Sequence, residues 1–124
     1  MGLKDIAQEL VDGCRKGDAA VRANLDKLYA EDAVSVEAAD MGNGRETQGR
    51  AGIHGKHDWW EGAMEEHETK ITGPFWHGDD SFAVYFEVDA TNKESGKRMQ
   101  MREVGVYHVR DDKIVREEFF YEVD

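Results

Sequence analysis

From Leu3 to Lys16 the apolar residues Leu3, Ile6, Ala7, Leu10, Val11 and Cys14 recur at three- and four-residue spacing, which sets them on one stripe of an amphipathic helix. Gly17-Asp18 ends that run: the glycine suits a helix stop, and the aspartate suits the cap of a second helix burying Val21, Leu25, Leu28 and Tyr29. Ala33 to Glu37 then switches to β-branched residues and predicts a short strand, followed by a loop at Met41-Gly42-Asn43-Gly44. Between Gly49 and Met64 a third helix is expected, with Ile53, His57, Trp60 and Met64 on one face.

Four strand-like runs follow, His67 to His77, Ser81 to Asn92, Lys97 to Val109 and Lys113 to Glu122. They are separated by Gly78-Asp79-Asp80, by Asn92 to Gly96 and by Asp111-Asp112, which read as hairpin turns. Helices first and a meander after predict an α+β domain spanning 1–124, with three N-terminal helices packed on a curved, mainly antiparallel sheet. In the last long strand pair one face carries Met99, Met101, Glu103, Gly105 and Tyr107, the face expected to line a pocket. The other face of the sheet mixes apolar and charged groups and is expected to pair with a second copy as a homodimer.

Composition narrows the functional classes. The 124 residues include 27 Asp+Glu against 16 Lys+Arg, a net charge of -11, which argues against nucleic acid and anionic membranes as partners. No apolar run reaches bilayer length, and neither a secretory leader nor a disulfide pair is expected with Cys14 as the one cysteine, so the expected location is the cytoplasm. Cys14 lies in the first helix's apolar stripe and reads as a small hydrophobe. His54 and His57 have helical ligand spacing, but Lys56 intrudes and no third ligand is implied, so neither a metal nor another cofactor is expected.

The segment Leu28-Tyr29-Ala30-Glu31-Asp32-Ala33-Val34 joins a helix ending in leucine and an aromatic to a strand through Ala-acid-acid-Ala. With the Gly17-Asp18 break and Gly49-Arg50-Ala51-Gly52-Ile53, it resembles the nuclear transport factor two-like superfamily, which includes ketosteroid isomerase and the SnoaL-like polyketide cyclases. Glu46-Thr47-Gln48-Gly49, Gly55-Lys56-His57-Asp58-Trp59-Trp60 and Val115-Arg116-Glu117-Glu118-Phe119-Phe120-Tyr121 are similar to a SnoaL-like subgroup. The resemblance covers nearly the whole chain and implies a cone in which sheet and helices enclose a pocket. Members use that pocket for catalysis, ligand binding or partner contact, so the fold decides no activity.

The resemblance places Glu37 where the isomerase carries its carboxylate base, a group that takes a proton from carbon beside a carbonyl. His57 falls where that enzyme's third helix offers a pocket tyrosine, and it also sits between Ile53 and Trp60, so it serves either as a donor or relay for Glu37 or as a core histidine. Glu103, between Met101 and Gly105 on the pocket face, is expected to have a raised pKa if unpaired, with an ion pair to Arg102 or Arg116 as the competing account. Tyr29, Trp60, Met101 and Tyr121 are the expected ligand contacts, for a flat and apolar molecule.

The isomerase's oxyanion-binding tyrosine and protonated aspartate have no counterpart, their positions corresponding to Leu10 and Gly105. Steroid isomerisation is therefore not expected. The sequence supports two readings: a cofactor-independent general acid/base isomerase, cyclase or hydratase acting through Glu37, His57 and Glu103, or a non-enzymatic ligand-binding or dimeric assembly module. Carboxylates converging on a cavity would favour the first, and carboxylates neutralised by Arg102 or Arg116 the second.

Overall fold

The computed structural model describes residues 1–123, so Asp124 of the expected domain lies outside the described residues. The chain runs α1 (Leu3–Lys16), α2 (Asp18–Leu28), β1 (Tyr29–Val36), β2 (Glu46–Gln48), α3 (Arg50–Ala63), β3 (Met64–His77), β4 (Ser81–Asn92), β5 (Arg98–Arg110) and β6 (Lys113–Phe120). The predicted three helices on a mainly antiparallel sheet are present.

The stripe on α1 folds as its spacing requires, with Ile6, Ala7, Leu10 and Val11 buried and Asp5 and Arg15-Lys16 placed at the ends that the helix dipole favours. Gly17 adopts a φ of 115°, which an L side chain strongly resists, and turns the chain directly into α2. Asp18 is the first residue of α2 and makes no cap bond; its carboxylate instead meets Arg22 one turn on, at 3.4 Å. Two boundaries move inward of their expected positions. Tyr29 and Met64 were predicted on helix faces, and both begin strands, because the buried side each supplies is needed by the sheet.

The six strands form one sheet in the order β2-β1-β6-β5-β4-β3. Only β1 and β6 are parallel; the others pair as antiparallel neighbours. The short strand β2 was not foreseen: Glu46 to Gln48 pairs with Val36 to Val34 and closes a hairpin on β1. Its loop is organised by Asp40, whose Oδ1 accepts the amides of Gly42 and Gly44, both at 2.8 Å. At the other end, Asp111 and Asp112 both take positive φ, 51° and 60°, the twist that a two-residue hairpin between β5 and β6 demands.

Helices cover one sheet face, where Leu25, Leu28 and Ile53 meet Phe82, Val84, Phe86 and Tyr107. Phe82 and Tyr107 stack at 4.9 Å between ring centres, and Phe119 meets Tyr107 edge-on at 6.3 Å. These rings fill the narrow end of the cone. The wide end stays open and forms the site.

Candidate functional site

The open end encloses a cavity of about 970 Å³ between α3, the loop after β1 and the inner face of β3 to β6. Its sheet wall follows from strand alternation. Phe86 pairs with Glu103 and Val88 with Met101 across β4 and β5, and all four line the cavity. Ile71 and Phe119 continue that apolar surface, and Trp59 and Trp60 of α3 stand on the facing wall.

Glu37 follows the last residue of β1 and reaches into the cavity from its edge. Oε2 accepts from Nζ of Lys56 at 2.7 Å, and Oε1 accepts from the Tyr121 hydroxyl at 3.1 Å. The Lys56 ammonium also donates to Oγ of Ser35 at 2.7 Å and lies 5.4 Å from the centre of the Phe119 ring. Ser35 in turn donates to Oε2 of Glu117 at 2.7 Å, and the Tyr29 hydroxyl donates to Oε1 of the same carboxylate. Six of these side chains, all but Phe119, thus form one hydrogen-bonded chain from the core to the cavity edge.

Glu103 is different. It has no hydrogen-bond or ion-pair partner among the described residues, and its carboxyl is raised from an ordinary 4.5 to about 7, with burial the largest cause. The charge of Glu37 contributes to that rise, Lys56 opposes it, and Glu117 makes a smaller upward contribution. The ion pair considered from sequence does not form: Arg116 holds Glu118 at 2.9 Å, and Arg102 lines the opposite sheet face. Glu117 is also raised by burial, with the hydroxyls of Tyr29 and Ser35 working against that shift.

His57 lines the cavity on the side of α2 and makes no hydrogen bond to Glu37 among the described residues. Burial and the nearby Arg22 guanidinium lower its pKa, which favours neutral imidazole. The place expected for it beside Glu37 is held by Lys56, one residue earlier and about 100° away round the helix. Its neighbour His54 turns outward to Asp26, with Nε2 and Oδ1 2.9 Å apart. Trp60 and Met101 line the cavity. Tyr121 reaches it through Glu37, whereas Tyr29 lies beneath, 5% exposed, and meets Glu117 instead of the cavity. Cys14 also borders the cavity, and burial raises its thiol to about 12, which keeps it a thiol at neutral pH.

The positions matched to the isomerase's two oxyanion donors are closed. Leu10 is in the core, and a Cβ on Gly105 would come within 3.0 Å of the Tyr107 ring tip and 3.2 Å of Phe119. A side chain there would require the Tyr107 and Phe119 rings to shift by a few tenths of an ångström.

Sequence reasoning missed Lys56, Ser35 and Glu117. Lys56 had a signal, since it lies three residues after Ile53 and four before Trp60 and so shares their stripe. Glu117 alternates with Val115 and Phe119 on a strand whose inner face is buried.

The SnoaL-like domain family matches residues 5–121. The chain belongs to the SnoaL-like family. A Mesorhizobium loti protein named as a candidate SnoaL-like polyketide cyclase is 35% identical, with 98% of this chain and 100% of that chain covered and a TM-score of 0.88. A Xanthomonas campestris protein with a cystatin-like fold is 18% identical, with coverage of 99% and 92% and a TM-score of 0.77. TerC, co-crystallised with polyporic acid, is 19% identical, with coverage of 96% and 90% and a TM-score of 0.72. The last two likenesses show the fold alone. No curated protein matches this SnoaL-like chain. No helix among the described residues is long and apolar enough to cross a membrane.

Proposed function

We propose that this SnoaL-like protein binds a small, largely apolar carbonyl compound in its cone and moves a proton at the carbon beside the carbonyl without a cofactor. The supporting observation is the grouping of Glu37, Lys56 and Glu103 on one apolar cavity with no arginine on either carboxylate. Glu37 takes the proton from carbon, and the bonding electrons pass to the carbonyl oxygen. As Glu37 becomes neutral, the Lys56 charge loses its partner and turns to the new oxyanion. Protonated Glu103 donates from the other side. Returning the proton to another carbon gives isomerisation, and attack of the enolate on a second carbonyl gives cyclisation; a hydratase would use the same acid and base on water. His57 borders the ligand as a neutral donor, and Trp60, Met101 and Tyr121 contact it.

TerC's co-crystallisation with polyporic acid is consistent with a cone that accepts an organic ligand. The alternative is a carrier or assembly module, favoured by the saturated Lys56–Glu37 pair and by half-exposed Phe75, Trp76 and Phe120. As part of this reading the chain pairs with a second copy through its open sheet face and works in the reducing cytoplasm, which suits the free Cys14.

Titration of tryptophan fluorescence with β-tetralone, a flat ketone with acidic α-hydrogens, tests the binding step. A saturable change is expected from Trp59 and Trp60, and Val88→Trp, which fills the cone, should abolish it. Saturable binding that survives in Val88→Trp would place the ligand elsewhere and overturn the reading.

A further inference from the structure

The part of the hydrogen-bonded chain that lies below the cavity is not among the residues that line it, yet it ends on the Lys56 ammonium, which is. Glu117 is 3% exposed and Ser35 is fully buried. The Ser35 hydroxyl donates its single proton to Oε2 of Glu117, 2.7 Å away. The Ser35 oxygen is then left with lone pairs alone for its other neighbour, and that neighbour is Nζ of Lys56, at 2.7 Å. A second hydrogen of the ammonium reaches Glu37 at the same distance.

We propose that Ser35 and Glu117 are positioning residues for Lys56: the buried carboxylate fixes the direction of the Ser35 hydroxyl, and the hydroxyl oxygen holds the ammonium against Glu37. Lysine side chains have four rotatable carbons and no preferred donor direction, so a single partner would leave this one swinging. Two acceptors on different strand positions remove that freedom. The Tyr29 hydroxyl fixes the other oxygen of Glu117 and so holds the carboxylate itself.

The arrangement also selects the chemistry that Lys56 can do. An ammonium directed at two acceptors on the cavity edge offers a fixed positive charge to an oxygen that gathers negative charge. This consequence deepens the proposed function and rests on it. The positioning itself does not.

Proton–nitrogen correlation spectra of lysine ammonium groups on the full chain test the positioning directly. An ammonium held by two hydrogen bonds exchanges its protons slowly and gives a cross-peak, which Lys56→Met identifies by its disappearance. Ser35→Ala is expected to remove that peak while the backbone amide spectrum and thermal melt stay close to the parent. Glu117→Gln is expected to do the same, because its amide can donate to Ser35 and reverse the hydroxyl. If Glu117→Gln fails to fold, Ser35→Ala decides alone. A Lys56 peak that is missing from the parent, or unchanged in Ser35→Ala, overturns the inference. Failure of the proposed function would appear separately, as a held ammonium in a protein that moves no α-proton.

Discussion

Nζ of Lys56 lies 2.7 Å from Oε2 of Glu37, and both groups are about a quarter exposed. Lys56 is therefore close enough to offset the Glu37 charge felt by neighbouring groups, and the pair remains open to a ligand. Glu103 feels both members, Glu37 raising and Lys56 lowering its pKa.

That opposition predicts shifts of opposite sign. Removing the cation in Lys56→Met should push the Glu103 carboxyl above about 7, and removing the charge in Glu37→Gln should bring it down. Carbon-detected NMR titration of the Glu103 carboxyl reads both. Two variants that leave it unmoved would mean that the three side chains do not share one electrostatic site.

Glu103 also sets a stability trend. Folding raises its pKa from 4.5 to about 7, so between those values the native state keeps a proton that the unfolded chain has lost. The contribution of Glu103 to stability must then fall as pH rises through that window and level off above it, with a slope of up to ~1.4 kcal/mol per pH unit, while His57, with its lowered pKa, acts in the opposite direction. Buried Glu117 acts in the same direction as Glu103. In Glu103→Gln the slope should be shallower by Glu103's share, as read by urea unfolding between pH 4.5 and 7; equal slopes would show that Glu103 ionises freely in the fold.

Gly105 lies against the aromatic floor of the cone. Gly105→Ala puts a methyl within 3.0 Å of Tyr107, a ring already stacked on Phe82, and should cost about 1–3 kcal/mol. A drop of several degrees in melting temperature is expected. An unchanged melt would mean that Tyr107 yields easily and that the floor is not fixed.

The sheet's outer face carries Tyr85, Val104 and Phe120 among charged neighbours, with Phe120 more than half exposed. Pairing through that face predicts a light-scattering mass of twice 14.1 kDa, falling to 14.1 kDa in Val104→Glu with Phe120→Glu. A monomer mass for the parent at micromolar concentration would remove the pairing from the account.

The fold could be read from periodicity because each long element repeats its own period over three or more turns or pleats. The stripe of α1 and the alternation of Phe82, Val84 and Phe86 leave little choice of buried face. The three-residue strand β2 offers no such repetition, and it exists because the β1 edge and the Asp40 turn hold it. In the site, Glu103 was visible as a carboxylate on an apolar strand face. Lys56 was not, since a helical stripe admits both residues 56 and 57, and side-chain length decides which reaches Glu37. Tyr29 was placed in the pocket because its position along the chain cannot show that Glu117 lies between it and the cavity.

The central claim is that Glu37 removes a proton from carbon in a ligand whose oxygen faces Lys56. The measurement that meets it most directly is hydrogen–deuterium exchange at the α-carbon of β-tetralone in deuterated buffer, followed by proton NMR. The account predicts exchange well above the buffer rate with the parent protein and a fall of roughly a hundredfold or more in Glu37→Gln, the range usual for loss of a general base. Exchange at the buffer rate by a protein shown to bind the ketone, or exchange undiminished in Glu37→Gln, would contradict it.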